Sequence, residues 1–311
     1  MKTKLTRWLL YGAAFVLLLV LSLLASHRAA PLPMPAAYAG DWPAATPPAG
    51  MAIFHLPTGT IPRNAGFGYR GGSFFEKREF AMSAVLVKHP KGDLLIDSGF
   101  GREIDTQFAA MPALVRWGAP YQKKTPAVTQ LANAGYDGKK LRGIVLTHAH
   151  WDHASGLADF PGVPVLLPAA ERGFITNGGF VTVLARNLAN VQYEEYGFAE
   201  KPYLGFPQSR DLYGDGSVVI VAAPGHTPGS VIVFLTLPNG PRYALVGDLV
   251  WLREAITMRE EKTWMMRTIV DQAPAGVREN LLRMSALAMR FPDMIIVPAH
   301  DARAYEGIPQ L

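Results

Sequence analysis

Cysteine is absent from this chain of 311 residues, and its absence narrows the possible chemistry. No disulfide can stabilise the fold. An exported protein without disulfides must be stabilised by its hydrophobic core alone. No thiolate can bind a metal ion, so any metal site must use histidine nitrogens and carboxylate oxygens. The chain is 49% hydrophobic, and a protein of this length can bury a large core without cross-links.

An excess of positive charge is also lacking over most of the chain. Lys2, Lys4, Arg7 and Arg28 supply four of the 30 basic residues, and no acidic residue precedes position 31. The other 26 basic residues nearly balance the 25 acidic ones. Four of the five units of formal net positive charge therefore belong to the N-terminal segment. We expect no nucleic-acid partner, because a basic binding surface would need more positive charge in the body of the chain.

Residues 8–25 contain no charged residue, and three basic residues precede them. As a helix at about 1.5 Å per residue they span about 27 Å, close to the hydrocarbon thickness of a bilayer. The preceding positive charges favour a cytoplasmic N-terminus. Residues 1–30 are therefore predicted to be a signal anchor, or a signal peptide if a peptidase removes them. The rest would be anchored to the inner membrane in the periplasm, or be periplasmic or secreted after cleavage.

The segment after this apolar run differs in composition from the rest of the chain. Residues 31–50 hold six prolines with much alanine and glycine, which favours an extended Pro/Ala-rich linker over packed structure. Residues 51–311 are predicted to form one domain. Within it short apolar runs alternate with helical patterns, which is typical of an α/β layered architecture.

Several elements of this domain can be placed from local patterns. Residues 83–87 and 93–96 are predicted to pair as a hairpin around the turn at residues 90–92. A helix is predicted over residues 127–134, with Thr125 as N-cap and Gly135 after its end. A second helix should present an apolar stripe to the core, since apolar residues recur at helical spacing at Val277, Leu281, Met284, Ala288 and Phe291.

Four further apolar runs each lead into polar side chains. They cover residues 143–146, 218–222, 244–246 and 294–297. Five of the eight histidines lie in three short loops after these runs, and an aspartate follows another run. The seven donors are His148, His150, Asp152, His153, His226, Asp248 and His300. Four to six ligands suit one cation, so seven donors predict two divalent metal ions.

The stretch Thr147-His148-Ala149-His150-Trp151-Asp152-His153 matches the H-x-H-x-D-H signature of the metallo-β-lactamase superfamily. The later order of His226, Gly-Asp248 and His300 is similar to that family as well, and the resemblance covers residues 51–311. It implies an α/β fold of four αββα layers, preceded here by the N-terminal membrane-spanning or signal helix. By position, one metal would be held by His148, His150 and His226. Asp152, His153 and His300 would hold the other, and Asp248 would bridge them.

This resemblance also implies a mechanism. Two cations that share a water lower its pKa toward about 7, so that a metal-bridging hydroxide can attack a carbonyl or phosphoryl group. Asp152 would move a proton toward the leaving group. Zinc is the expected metal, although these ligands suit manganese, iron and cobalt too. Asp97, at the end of a buried run, has two open interpretations: it orients a ligand histidine, or it only forms the turn.

The branch of the superfamily is indicated by three positions. The best-known zinc β-lactamases use a cysteine ligand, which this chain lacks. His300-Asp301 is similar to the closing motif of N-acyl-homoserine lactonases and related small-ester hydrolases. Those lactonases place a tyrosine three residues after the bridging aspartate, where this chain has Trp251. A small ester or lactone substrate is predicted. The alternatives are an oxidoreductase resembling the persulfide dioxygenases, with one iron, and a non-catalytic, membrane-tethered metal-binding protein.

Other aromatic and histidine residues have weaker interpretations. The irregular segment at residues 174–216 is expected to be a solvated insertion, with a lid or pocket wall as the alternative. His55 and His89 are expected to be exposed or strand-end histidines without a role in the metal site. The cluster of Met258 and Trp264 with its two following methionines is expected to lie in the core, with a pocket wall or membrane contact as alternatives. No oligomeric state can be derived from the sequence.

Overall fold

The computed structural model describes residues 2–238 and 240–311. Twelve strands form two sheets. The first sheet has seven strands in the order β4-β1-β2-β3-β5-β6-β7. These strands are Ala52–Asn64 (β1), Lys77–Lys88 (β2), Asp93–Ile96 (β3), Gln122–Lys123 (β4), Leu141–Val145 (β5), Pro164–Pro168 (β6) and Gln192–Tyr196 (β7).

The second sheet has five strands in the order β12-β11-β10-β9-β8. They are Ser209–Asp211 (β8), Val218–Ala222 (β9), Val231–Thr236 (β10), Arg242–Gly247 (β11) and Ile295–Pro298 (β12). The pair β11 and β12 is parallel, as are β3, β5 and β6 in the first sheet. Parallel strands end at the same edge of their sheet, which brings together the loops after them.

The helices are mostly short, apart from the first and the last. They are Lys2–His27 (α1), Ala65–Gly68 (α2), Ile104–Ala109 (α3), Ala113–Gly118 (α4), Ala127–Asn133 (α5), Trp151–Ala154 (α6), Ala169–Asn177 (α7), Val183–Asn187 (α8), Glu254–Met258 (α9), Trp264–Val270 (α10) and Pro274–Arg290 (α11). Single 3₁₀ turns occur at Gly138–Lys140, Ser155–Asp159, Gly179–Thr182 and Ala302–Tyr305.

The two sheets pack face to face, and helices cover their outer faces. Alternation along β9 shows this arrangement: Val218 and Ile220 lie in the core between the sheets, whereas Val219 and Val221 lie in the core that α11 covers. On the other side, Leu95 and Ile144 of the first sheet share a core with Leu131 of α5. Side chains alternate in this way because successive residues of a strand point to opposite faces. The predicted mixed α/β fold with two sheets is confirmed.

The locally predicted elements are also present. β2 and β3 form the expected antiparallel hairpin, with Leu86 opposite Leu95. The stripe on α11 is buried at Val277, Leu281 and Met284. The helix predicted at residues 127–134 is α5, but Pro126 occupies the N-cap position that we assigned to Thr125. This shift is explained by the ring of proline, whose fixed φ suits the entry into a helix.

Two expectations about irregular segments are wrong or incomplete. The segment at residues 174–216 is more than a solvated insertion, because it contains α8 and adds edge strands β7 and β8 to the two sheets. The cluster that includes Met258 and Trp264 is not core, since these side chains are 51% and 38% exposed. Sequence composition could not separate a buried apolar cluster from an exposed one, since both are runs of large apolar residues.

The proline-rich residues 31–50 have no regular secondary structure, as their composition predicts. They nevertheless lie against the domain. The indole of Trp42 packs edge-on against Phe234 and Phe291 and donates a hydrogen bond to Thr236 Oγ1 at 3.2 Å. The Thr46 amide donates to the Asp215 carbonyl at 2.7 Å. This segment is thus extended, but it is held along the outside of the second sheet rather than free.

Candidate metal centre

The three histidine loops and the loop after β11 meet at one edge of the two-sheet sandwich. The first loop leaves β5, passes His148 and His150, and enters α6, which carries Asp152 and His153. The other three donors come after β9, β11 and β12 at His226, Asp248 and His300. All seven side chains are buried or nearly so. Strand direction explains the convergence, because each loop starts where a buried strand ends.

The seven donors separate into two groups. Within each group the ligand atoms all lie within 4.8 Å of one another. The first group is His148, His150, His226 and Asp248, and the second group is Asp152, His153 and His300. The family resemblance implied the same two sets of side chains, with Asp248 between them instead of within the first. The carboxylate of Asp248 faces both groups: Oδ2 lies 3.5 Å from His226 Nε2, and Oδ1 lies 3.3 Å from His153 Nε2. Asp248 thus lies between the two groups.

Several of these polar atoms are buried without a hydrogen-bond partner. They include Nε2 of His148 and His153 and Oδ1 of Asp248. Burying a polar atom without a partner is costly, so such atoms are rare unless they serve a ligand. Here they converge from separate loops on one small volume, with nitrogen and oxygen donors that suit a borderline divalent cation. The residues present therefore fit divalent metal ions.

Burial and charge affect the two groups differently. Burial lowers the pKa of His148 and His150 well below the usual value, and the neighbouring imidazoles lower it further. Burial also lowers the pKa of His153, but the carboxylates of Asp97 and Asp248 outweigh it and hold that pKa well above the usual value. The first group thus offers neutral imidazoles with free lone pairs. The second group lies in a field that favours positive charge.

Each group has its own supporting carboxylate behind a histidine. Asp97 accepts two hydrogen bonds from Thr147, at 2.7 and 2.8 Å, and lies 2.8 Å from His153 Nδ1. Its backbone is left-handed, with φ of 56°. Both open interpretations of Asp97 are therefore borne out geometrically: it turns the chain and orients a histidine. In the first group Asp271 takes this position, 2.7 Å from His226 Nδ1.

The Asp271 carboxylate is paired with a buried lysine. Lys262 Nζ donates to Asp271 Oδ1 at 3.0 Å and to the Asp248 carbonyl oxygen at 2.8 Å. Burial raises the pKa of Asp271, but Lys262 and His226 outweigh it and hold that pKa below the usual value. Sequence reasoning missed both residues. No local pattern marks them, because they reach the centre only through the packing of the segment between β11 and α11.

A third residue missed from the sequence is Glu171 on α7, which joins two of the histidine loops. Its carboxylate accepts hydrogen bonds from the Ala149 amide at 2.6 Å, the Thr227 hydroxyl at 2.7 Å and the Gly229 amide at 2.9 Å. Burial raises its pKa to about 7, although these three donors favour the ionised form. Glu171 therefore positions the loops that carry His148, His150 and His226 relative to each other.

Trp251 stands where the similar lactonases have a tyrosine, and its contacts explain its role here. The indole nitrogen donates to Asp248 Oδ2 at 2.8 Å. Its ring packs against Phe80 and His300. Trp251 is therefore bound to the bridging carboxylate, and its one donor is already used. On the opposite side Phe174 lies 6.1 Å from the ring of His150 and forms an apolar wall.

His55 and His89, expected to be exposed or strand-end histidines, are both buried, and His89 directly follows the end of β2. His55 is 8% exposed, stacks on Tyr305 and lies 2.8 Å from Ser83 Oγ. His89 is 4% exposed and stacks on Tyr213. Neither belongs to the two donor groups, so their assignment outside the metal site is retained. Stacking on tyrosine explains how they are buried without a cation.

Known proteins with similar sequences and structures indicate the family of this chain. Residues 78–300 match the family described as "Metallo-beta-lactamase superfamily". A probable metallo-hydrolase of Mycobacterium tuberculosis (strain ATCC 25618 / H37Rv) is 32% identical over 235 residues, which cover 71% of this chain and 75% of that protein. The N-acyl homoserine lactonase AttM of Agrobacterium fabrum is 24% identical over 217 residues, 65% of this chain and 77% of its own.

Among solved structures, an N-acyl homoserine lactone hydrolase with N-hexanoyl-L-homoserine at its catalytic metal centre has the same fold. The TM-score is 0.64 at 16% sequence identity, and the match covers 83% of this chain and 96% of that one. AidC, a dizinc quorum-quenching lactonase, matches with a TM-score of 0.55 at 16% identity over 83% of this chain and 90% of that one. With a family match over more than half of its residues, this chain belongs to the metallo-β-lactamase superfamily, and a probable metallo-hydrolase and lactonases are among its relatives.

Proposed function

We propose that this protein hydrolyses a small ester or lactone at a centre of two divalent metal ions. The observation that carries the proposal is the pair of donor groups around Asp248, with buried nitrogens and a carboxylate oxygen that lack partners. The ligand set is intact, whereas a protein that had lost its catalytic role would be expected to have lost at least one of the seven donors. The lactonases among its relatives support an ester-like bond as the target.

Metal ions bound here would supply an acidified water and polarise the carbonyl oxygen of the substrate. His148, His150 and His226 would hold one ion, and Asp152, His153 and His300 the other, with Asp248 between them. Zinc is our first expectation, since the centre offers only nitrogen and oxygen donors of the kind zinc binds. Asp97 and Asp271 would fix the ring orientation of a histidine in each group.

Asp152 is the residue we assign to proton transfer. Its Oδ2 lies 3.4 Å from His300 Nε2, and its side chain is 11% exposed, against 4% for Asp248. It is thus the carboxylate of the two donor groups that a substrate can reach most easily. A carboxylate in this place can accept a proton and deliver it to the alkoxide that leaves when the ester bond breaks. Such transfer contributes about 10²- to 10⁴-fold to a rate.

The experiment that tests the function compares variants of the full chain after loading with zinc. We expect about two metal ions per chain and turnover of an aryl ester and an N-acyl homoserine lactone. Asp152→Asn should lower kcat by about 10²-fold or more. His148→Ala should lower both activity and metal content. Asp293→Asn, which changes an exposed carboxylate away from the centre, is the matched control and should change neither.

Two results would reject the proposal. Equal rates in the wild type, Asp152→Asn and His148→Ala would show that hydrolysis does not take place at this centre. About one iron per chain, together with sulfur-dependent oxygen uptake, would favour the oxidoreductase alternative. Metal content is measured beside activity, so loss of metal can be separated from loss of chemistry.

For the location of the protein we propose an anchor. Helix α1 has 26 residues, and its apolar stretch Thr6–His27 is 6% buried, so the rest of the protein does not cover it. At about 1.5 Å per residue the helix is about 39 Å long, enough to cross a bilayer. The basic N-terminus would lie in the cytoplasm and the hydrolase domain in the periplasm. Resistance to carbonate extraction, and digestion of the domain only when protease enters the periplasm, would support this topology.

A further inference from the structure

Two short helices on the surface of the domain are mainly apolar and bury none of their side chains. Helix α10 has the sequence Trp-Met-Met-Arg-Thr-Ile-Val, with no buried residue. Helix α4 has the sequence Ala-Leu-Val-Arg-Trp-Gly, also with no buried residue. A surface helix of a soluble domain normally turns its apolar stripe toward the core. The exposed apolar surface of α4 and α10 therefore needs another partner.

The three most exposed large apolar residues of the domain belong to α4 and to the turn before β2, and further exposed apolar residues lie in that turn and on α10. Phe75 is 97% exposed, Trp117 is 83% and Leu114 is 76%. Ile269 is 43% exposed, and Phe74 and Trp264 are close to 40%. We name these residues the apolar collar: Phe74, Phe75, Leu114, Trp117, Trp264 and Ile269. Single exposed apolar residues are ordinary, but a group of six on neighbouring elements marks an interaction site.

The collar surrounds the point where α1 meets the domain. Ser26 near the end of α1 accepts a hydrogen bond from the Trp264 amide at 3.0 Å, and the carbonyl of Ser22 accepts one from the Trp264 indole at 3.2 Å. On its other side the ring of His27 lies 4.6 Å from Phe74. The end of α1 is thus held between α10 and the turn before β2.

Helix α4 is connected to the same place through one arginine. The guanidinium of Arg63 donates to the carbonyl of Gly118 at the end of α4. It also lies 5.9 Å from the ring centre of Phe67, which in turn is 6.4 Å from His27. The contacts therefore run from α4 through Arg63 and Phe67 to α1 without a break. Two residues thus connect Gly118, at the end of the helix that carries Leu114 and Trp117, to His27 at the end of α1.

These contacts leave no free linker between α1 and the domain. Gly71 donates to the carbonyl of His27 at 2.7 Å, Ala30 donates to Glu260 Oε2 at 3.0 Å, and Leu32 donates to the carbonyl of Arg259 at 2.8 Å. The orientation of the domain relative to α1 is therefore fixed. Whatever surrounds the apolar surface of α1 must also meet the collar around its end.

We propose that the apolar collar rests in the surface of the lipid bilayer that α1 crosses. The proposal rests on the anchor proposed for α1. Tryptophan side chains such as Trp117 and Trp264 are enriched at the boundary between lipid and water, and the exposed ring of Phe75 adds apolar surface there. Arg116, beside Trp117 on α4, would meet lipid phosphates. The collar thus holds the domain against the membrane in one orientation, instead of leaving it suspended on a tether.

The absence of cysteine makes this proposal easy to test, because an introduced cysteine is the only one in the chain. Phe75→Cys and Trp117→Cys, each labelled with a polarity-sensitive fluorophore, would be placed in vesicles of phosphatidylcholine and phosphatidylglycerol. The matched control is Met289→Cys, at an exposed apolar residue of α11 outside the collar. We expect blue-shifted emission and quenching by nitroxide-labelled lipids at positions 75 and 117, but water-like emission without quenching at position 289.

A label at Val16, in the middle of α1, separates this inference from the anchor. Quenching at position 16 with water-like emission at positions 75 and 117 would overturn the collar proposal and leave the anchor intact. Water-like emission at position 16 would overturn both. Labels at positions 75 and 117 that are shielded only at high protein concentration, without quenching by nitroxide lipids, would show that a second copy of the chain covers the collar, and would also overturn it.

Discussion

The two donor groups of the metal centre are built alike but charged differently. In each a buried carboxylate lies 2.7 or 2.8 Å from Nδ1 of a histidine: Asp271 behind His226 in the first group, and Asp97 behind His153 in the second. Asp271 also forms an ion pair with Lys262 at 3.0 Å. Among residues 2–238 and 240–311, Asp97 pairs with His153 and with no lysine or arginine.

This difference determines how much net charge lies behind the histidine in each group. The pair of Asp271 and Lys262 is neutral, so the first group receives orientation without net charge. Asp97 adds its full negative charge to the second group, which also contains Asp152. The pKa of His153 is accordingly raised, whereas burial and Lys262 together lower the pKa of His226. We therefore expect the second group to bind its cation more tightly than the first.

The largest expected effect comes from removing the charge that makes the groups differ. Lys262→Met leaves Asp271 buried without its cation, and breaking a buried ion pair in this way costs about 3–5 kcal/mol. The free energy of unfolding, measured with urea in the presence of a chelator, should fall by that amount. Adding Asp271→Asn should restore part of it, because the uncompensated charge is then removed while an oxygen still accepts from His226.

Lys140→Met is the matched control for this experiment, since Lys140 is exposed in a 3₁₀ turn away from the centre. We expect it to change the free energy of unfolding by less than about 0.5 kcal/mol. A loss in Lys262→Met no larger than in this control would contradict the role of the ion pair. So would a double variant less stable than Lys262→Met alone.

Glu171 supports the loops of the first group, and its substitution should have the next largest effect on the free energy of unfolding. In Glu171→Gln the amide NH₂ faces at least one of the three groups that donate hydrogen bonds to the wild-type carboxylate. The free energy of unfolding should fall by about 1–3 kcal/mol. Burial raises the pKa of Glu171 from 4.5 to about 7. Between these two pH values the folded state therefore keeps a proton on Glu171 that the unfolded state has released. Wild-type stability should therefore fall as pH rises from about 4.5 to 7, by about 3 kcal/mol in total.

Gln does not titrate, so the variant should lack this part of the pH dependence. The stability gap between the wild type and Glu171→Gln should be widest near pH 4.5 and should narrow toward pH 7. Urea unfolding at several pH values with chelator present measures it, with Glu194→Gln on β7 as an exposed control. A gap that stays constant over this range would show that Glu171 is ionised throughout.

A paired substitution tests whether each carboxylate serves one group only. Asp97→Asn should lower the affinity of the second group for its cation by about 10- to 100-fold. This is the usual effect of losing a carboxylate that orients a ligand histidine. Asp271→Asn should weaken the cation of the first group by a similar factor. Competition with a chromophoric chelator can resolve two affinities per chain. If both variants weaken the same cation, the division into two groups is wrong.

Much of this centre could be predicted from the sequence because its ligands are local to strand ends. His148, His150, Asp152 and His153 occur within six consecutive positions, and a buried strand before them fixes where they lie. The spacing of polar residues after apolar runs is a short-range signal, and the fold places such strand ends together. The predicted hairpin of β2 and β3 depends on the same kind of local pattern.

The supporting residues could not be predicted because they act across the fold. Glu171 is separated from Thr227 by 56 positions, and Asp271 from His226 by 45. A glutamate in a short helix has no local feature that marks it as a partner of two loops. For the same reason composition predicted a free linker at residues 31–50, while Trp42 finds its packing partners 192 and 249 positions away at Phe234 and Phe291.

The smallest expected effect concerns Trp251, whose indole donates to Asp248, the carboxylate shared by both groups. Trp251→Phe keeps an aromatic ring but removes this donor, at a cost of about 1 kcal/mol. Because Asp248 faces both groups, both cation affinities should change together by about fivefold, unlike the one-sided effect of Asp97→Asn. Trp264→Phe, which alters an indole in the collar, should change neither affinity. A change confined to one cation would mean that Asp248 belongs to one group rather than joining them, and the two halves of the centre would then be independent sites.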